Sequence, residues 1–208
     1  FRSPHHTVSA IALTGGSSVP KPGEISLSHY GVLFLDELPE FKRSVLEALR
    51  QPMEDGHVTI ARVNSTVSYP SKFMLVSAMN PCPCGYLGDS RCHCSTSEIA
   101  KYRKRISGPL LDRIDIFAET PDVSYNDLSK KTKSESSAEI KSRVSAARDI
   151  QLKRYNNDGI FFNSQLTSSQ TEKYCVMDND AAELIKAAFD SLRLSARAYH
   201  KILKVART

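Results

Sequence analysis

Two unbroken apolar runs, Gly31-Val32-Leu33-Phe34-Leu35 and Phe73-Met74-Leu75-Val76, stand out from a chain of mixed polarity. Runs of this length predict strands of a parallel sheet buried on both faces. Between them Val58 and Ile60, then Val67 and Tyr69, alternate with polar neighbours around Asn64-Ser65, which predicts a β-hairpin over about residues 57–70. Phe41, Val45, Leu46 and Leu49 recur at helical spacing, and Pro52 is expected to close that helix. Residues 96–106 read as a basic helix, carrying Lys101, Arg103, Lys104 and Arg105, and Ile114 to Ala118 reads as a third short strand. Residues 1–30, with Gly15-Gly16-Ser17-Ser18 and Pro20-Lys21-Pro22-Gly23, carry turn signals rather than core.

The pattern changes after Pro121. Residues 126–140 are rich in Ser and Lys and read as a linker or exposed loop. Ile140, Val144, Ala147 and Ile150 then share a helical face. Ala181, Leu184, Ile185, Ala188, Phe189 and Leu192 form a stripe after an Asp178-Asn179-Asp180 start signal, and a last helix begins near Ser195. The expected layout is an α/β part over residues 1–125 followed by a small all-helical part over 126–208.

Composition excludes more than it identifies. Of 208 residues 40% are hydrophobic and 25% charged, which are globular values. No apolar run approaches the roughly 20 residues of a membrane span. The net charge is +5, and residues 1–125 are balanced at 13 basic and 13 acidic side chains, so the excess lies wholly in residues 126–208, with 15 and 10. Such an excess permits an anionic partner without requiring one, and a solvated surface accounts for it equally. The chain opens on Phe1 and its first methionine is Met53, so it is expected to be an internal piece of a longer protein. Four of five cysteines, Cys82, Cys84, Cys92 and Cys94, fall within 13 residues, which suits a reducing compartment better than a secreted disulfide framework.

The chemistry concentrates at the ends of the apolar runs. Asp36-Glu37 follows the first. In open α/β sheets ligands bind at the carboxyl ends of strands, and there an Asp can orient a magnesium ion on nucleotide phosphates while a Glu polarises the attacking water. A pair of exposed or helix-capping acids is the plainer reading. Asn80 ends the second run, where its amide could bond the attacking water or the γ-phosphate, or simply form a turn. Arg113, flanked by Asp112 and Asp115, could reach a neighbouring subunit's phosphate or form a structural ion pair with either acid. Arg197 opens the last helix, a place suited to phosphate contact and equally to a surface arginine.

The order of these parts resembles that of an AAA+ ATPase. Within that resemblance Asp36 and Glu37 stand as Walker B, Asn80 as sensor 1, Arg113 as arginine finger and Arg197 as sensor 2, and the hairpin stands before sensor 1. Phe1-Arg2-Ser3-Pro4-His5-His6-Thr7, Pro22-Gly23-Glu24-Ile25-Ser26-Leu27, Leu46-Glu47-Ala48-Leu49-Arg50-Gln51-Pro52 and Asn80-Pro81-Cys82-Pro83-Cys84-Gly85 are similar to the bacterial ComM/YifB family of magnesium-chelatase-like proteins. The resemblance implies an AAA+ P-loop NTPase core, truncated at its N-terminal end, plus a helical lid. It implies a cytoplasmic, ring-forming, hexameric motor that uses ATP and Mg2+ and acts on DNA, as in ComM-type branch migration. The alternative is a magnesium-chelatase-type or MoxR-type ATPase that remodels a protein partner or drives metal insertion.

No Gly-x-x-x-x-Gly-Lys-Ser/Thr occurs in the 208 residues, so the chain alone is expected neither to bind ATP tightly nor to hydrolyse it. Three further features are open. Cys82, Cys84, Cys92 and Cys94, spaced Cys-x-Cys-x7-Cys-x-Cys, could hold a tetrahedral zinc ion or form a loop of reduced thiols. Cys175 reads as a small buried apolar residue. Arg62, near the hairpin tip, is the candidate DNA contact, Lys101–Arg105 could track a phosphate backbone or form a solvated face, and His5 and His6 read as structural.

Overall fold

A computed structural model describes residues 1–16, 20–62, 65–120, 125, 129, 134–156 and 158–208, apart from the side chains of Arg62 and Ser65. The chain forms two compact units, Phe1–Ile114 and Asp115–Thr208. Most of the residues around the expected boundary at 125 lie outside the described ones.

The first unit is built on strand β1 (Val32–Leu35), which comes from the first apolar run. It pairs in parallel with the strand from the second run (Met74–Ser77), in the register Val32↔Met74 to Leu35↔Ser77. On its other side the backbone of Arg2 bridges to Leu33, donating to Val32 and accepting from Phe34 at 2.9 and 2.8 Å. A bidentate ion pair from Arg2 to Glu24, 2.6 Å at each nitrogen, ties this N-terminal segment down.

The expectation that both runs are buried on both faces is corrected. Leu33 and Leu35 are buried, but Val32 and Phe34 on the opposite face are only half-buried, and Met74 and Val76 are exposed. One sheet face packs on the core; on the other the Phe1 ring stacks on Phe34 at 6.2 Å while Met74 and Val76 stay exposed.

Residues 1–30 also supply core, contrary to the turn-only reading. Helices α1 (Ala10–Thr14) and α2 (Glu24–Leu27) seat Leu13 and Ile25 at full burial. The chain can double back between them because Gly15 bridges Pro22 and Gly23 lies against Gly15. A Cβ on Gly23 would fall 2.3 Å from the Gly15 nitrogen.

After β1 a short 3-10 turn at Leu38–Glu40 leads into α3 (Arg43–Ala48) and α4 (Arg50–Asp55). Pro52 does not close a helix. It sits in the first turn of α4, where amides have no intrahelical acceptor and a missing N–H is tolerated. Strands β2 (His57–Arg62) and β3 (Ser65–Pro70) form the expected antiparallel hairpin, and β4 is the Met74–Ser77 strand already described. Helices α5 (Thr96–Arg103) and α6 (Gly108–Leu111) complete the unit, and Ile106 and Leu110 join a core of Leu13, Ile25, Leu33, Leu35, Leu38, Phe41, Val45, Leu46, Leu49 and Val58.

The third strand expected at Ile114 to Ala118 does not form. Among the described residues no backbone pairs with it, and a strand without a ladder partner gains none of the inter-strand hydrogen bonds that define one. Ile116 and Phe117 are exposed instead.

The second unit is helical where described: α7 (Ser137–Arg154), α8 (Ser168–Tyr174), α9 (Asn179–Leu192) and α10 (Ala196–Ala206). Ser136, Thr167, Asp178 and Ser195 cap these helices through side-chain oxygens. The core gathers Tyr155, Ile160, Leu166, Leu203 and, as expected, Cys175. It also holds a polar hub that sequence patterning did not reveal. Buried Asn163 accepts from the Tyr155 hydroxyl at 2.6 Å and from Arg154 at 3.1 Å, and its backbone N–H donates to Gln151 at 2.8 Å. The expected apolar faces of α7 and α9 are largely outward, with Val144, Ile150, Leu184 and Leu192 exposed. No described helix is long and apolar enough to cross a membrane.

Candidate functional site

Because β1 and β4 run parallel and in register, their carboxyl ends leave the sheet side by side. Asp36-Glu37 follows Leu35, and Ala78-Met79-Asn80 follows Ser77. Two backbone hydrogen bonds continue past the strands: Ala78 N–H donates to Leu35 O at 3.1 Å, and Leu38 N–H donates to Ala78 O at 3.0 Å. Asp36, Glu37 and Asn80 are all exposed on this edge.

Glu37 holds φ 52° and ψ 47°, a left-handed conformation unusual for a residue with a Cβ. The Asp36 carboxylate supports that turn by accepting from the Glu37 amide at 2.9 Å. Locally strained backbone is common where a side chain must be presented to a ligand. The Glu37 carboxylate meets His6 Nδ1 at 3.3 Å, and His6 in turn packs edge-on against Phe41. Sequence reading missed this pairing: the histidine reaches the site only because the Arg2 segment lies along β1.

Arg113 lies elsewhere in the unit. Its guanidinium ion-pairs with Glu54 of α4 and donates to Pro109 O at 2.7 Å, at 14% exposure. The ion pair weighed from sequence exists, but its partner is neither Asp112 nor Asp115. Arg197 is exposed in the first turn of α10, in the second unit. Arg62 lies in β2, and its side chain is outside the described residues. Of the basic helix, Arg105 is engaged with Glu40 at 2.7 Å, and both line a groove together with Lys101, Lys104, Phe41 and Arg43.

The four clustered cysteines converge. Cys82 Sγ lies 3.4 Å from that of Cys84 and 3.9 Å from that of Cys92, Cys84 and Cys92 are 3.7 Å apart, and all four sulfurs lie within 4.8 Å of one another. The backbone amide of Tyr86 facing Cys84, aided by contacts from Cys82, Cys94 and the His93 amide, lowers the Cys84 thiol to about 6. The Cys84 amide favours the Cys94 thiolate, but the Cys84 sulfur, burial and the Cys82 sulfur outweigh it and push that thiol up to about 12. The Cys84 thiolate thus forms readily, while the Cys92 and Cys94 thiols are held protonated by burial and the neighbouring sulfurs.

Comparison with known proteins places the chain. The family model described as "Magnesium chelatase, subunit ChlI" matches residues 1–128, and "Magnesium chelatase, subunit ChlI C-terminal" matches residues 134–208. The chain is 45% identical over 209 residues to competence protein ComM of Haemophilus influenzae, covering all of this chain and 40% of that protein. It is 45% identical over the same length to YifB of Escherichia coli, again 40% of that protein. It is 36% identical over 207 residues to Rv2897c of Mycobacterium tuberculosis, 99% of this chain and 41% of that protein. The chain therefore spans about 40% of the length of these relatives.

Proposed function

Since the chain belongs to the magnesium-chelatase ChlI family, a group of AAA+-type proteins, we propose that the protein containing it is an ATP-driven motor acting on DNA. The observation that carries this reading is the shared edge on which Asp36, Glu37 and Asn80 stand. A magnesium-bound triphosphate lying across that edge would meet Asp36 through its ion, Glu37 through the attacking water and Asn80 through the γ-phosphate or that water. Magnesium would neutralise charge on the transferring phosphoryl group. Glu37 would take the water's proton, and His6 would hold the Glu37 carboxylate in place. No P-loop motif occurs in the 208 residues, and in this reading the phosphate cradle would be supplied from outside them.

Arg113 and Arg197 are assigned to transition-state charge, one from a neighbouring subunit of a hexameric ring and one from the helical lid. DNA is proposed as the substrate from the similarity to competence protein ComM. The Arg43, Lys101 and Lys104 groove and Arg62 are the residues offered to a phosphate backbone.

The test is ATP turnover by the intact protein with and without branched DNA, alongside a branch-migration assay. Stimulation by DNA and strand exchange abolished by Glu37→Gln are expected. Turnover indifferent to DNA, but raised by a protein partner or a porphyrin system, would replace the DNA motor with a chelatase-type remodeller.

A further inference from the structure

We propose that Cys82, Cys84, Cys92 and Cys94 form a structural zinc site that pins the loop following Asn80. Four thiolates around one zinc at about 2.3 Å place neighbouring sulfurs about 3.8 Å apart, the edge of a tetrahedron. The separations of 3.4, 3.7 and 3.9 Å bracket that edge, and the fourth sulfur lies within 4.8 Å of the rest. Disulfides do not explain the convergence. All four cysteines are free, and a bonded pair would lie at about 2.05 Å.

The surrounding chain is shaped to bring the sulfurs together. Gly85 at φ 84° and Gly88 at φ 92° turn it back after the first pair, in conformations that a side chain would strain. Gly85 N–H bonds Cys82 O at 3.0 Å, closing the first turn. Asp89 accepts from the Arg91 amide at 2.8 Å and pairs with its guanidinium, and Cys92 N–H bonds Asp89 O at 3.0 Å, so the second pair arrives in a fixed direction. A capping box starts α5 directly after Cys94, with Ser95 N–H donating to Glu98 at 2.8 Å. The amides of Tyr86 and His93 face the Cys84 sulfur, the backbone support that metal-bound thiolates receive. Cys82 is fully buried, so the site is partly closed to water, as a four-ligand structural zinc site is.

The ion ties residues 82 and 84 to residues 92 and 94. Cys82 is two positions beyond Asn80, and Arg103 of α5 holds the intervening Pro81 carbonyl at 3.4 Å. Zinc therefore fixes the base of the turn that presents Asn80. The metal assignment stands on the cysteine geometry alone and does not depend on the ATPase reading.

The experiment measures metal in intact protein purified without a metal-binding tag and without added zinc. One zinc per chain is expected, retained in Cys175→Ser and lost in Cys82→Ser/Cys92→Ser. Exchange into cobalt(II) should produce the intense red-region bands of a tetrahedral tetrathiolate, a readout on wild-type protein that holds even if the double variant fails to fold. Cobalt-exchanged wild type lacking those bands overturns the proposal. So does zinc content unchanged in the double variant, stoichiometric iron or an iron–sulfur chromophore instead of zinc, or the four thiols reacting freely in native protein without a chelator.

Discussion

His6 Nδ1 stands 3.3 Å from the Glu37 carboxylate, so a residue of the N-terminal segment braces the acid that ends β1. If Glu37 activates water, the two variants separate by effect. Glu37→Gln in the intact protein should lower ATP turnover by about 100-fold or more while ATP still binds. His6→Ala should lower kcat by roughly 3- to 100-fold through misplacement, with the nucleotide dissociation constant unchanged. Turnover assays paired with equilibrium nucleotide binding check both, and an unchanged kcat in His6→Ala would confine that histidine to packing against Phe41.

Arg113 is held by Glu54 and the Pro109 carbonyl at 14% exposure, so its roles in stability and in phosphoryl transfer must be separated. As an arginine finger, Arg113→Ala should cost roughly 1,000-fold in turnover. Glu54→Gln, which removes only the partner, should lower the melting temperature and leave turnover nearly intact. Loss of stability in both variants, with turnover preserved in Arg113→Ala, would restrict the arginine to the ion pair.

Gly23→Ala should destabilise the first unit by roughly 2–4 kcal/mol, because the added methyl meets the backbone of Leu13, Thr14 and Gly15, which cannot yield cheaply. Urea unfolding followed at two wavelengths measures it. A change within about 0.5 kcal/mol would mean that the α1–α2 connection relaxes freely.

Asn163→Ala should cost the second unit roughly 1–3 kcal/mol, since it strands the buried Tyr155 hydroxyl and removes an acceptor of Arg154, while the backbone N–H that bonds Gln151 remains. Amide exchange across α7 and α10 should accelerate in parallel. Protection unchanged in those helices would show that water replaces the lost amide at little cost.

Acid should weaken the second unit through Asp158. The Tyr174 hydroxyl and Lys173 hold its carboxyl below the usual range. A depressed folded value contributes stability that is complete above the unfolded value of about 3.9 and is lost as pH falls through the lower folded value. Glu139, at the start of α7, is lowered by Ser136 and carries the same sign. The urea midpoint of the second unit should drop as pH falls from about 5 through the lower folded value, and Asp158→Asn should flatten that drop. A midpoint with the same acid dependence in Asp158→Asn would assign the sensitivity elsewhere.

Local pattern was enough for β1, β4, the 57–70 hairpin, α5 and the capped starts of α9 and α10. Each depends on a short apolar period or on a cap a few residues away, and such signals lie wholly within the segment that reads them. The same holds for the order of Asp36, Glu37, Asn80 and the cysteine spacing, and for the family to which the chain belongs.

What the sequence could not determine were the partners. That β4 is exposed on one face, that Ile114 to Ala118 pairs with nothing described, and that Pro52 opens a helix rather than closing one depend on which backbone lies alongside. Glu54 beside Arg113, His6 beside Glu37 and the Asn163 hub join residues far apart in the chain. So does the doubling back at Gly15 and Gly23 that makes core of Leu13 and Ile25. Periodicity records which face of a segment is apolar, but only packing decides what that face meets. The convergence of four sulfurs falls between the two: spacing allowed it, and the turns at Gly85, Gly88 and Asp89 decided it.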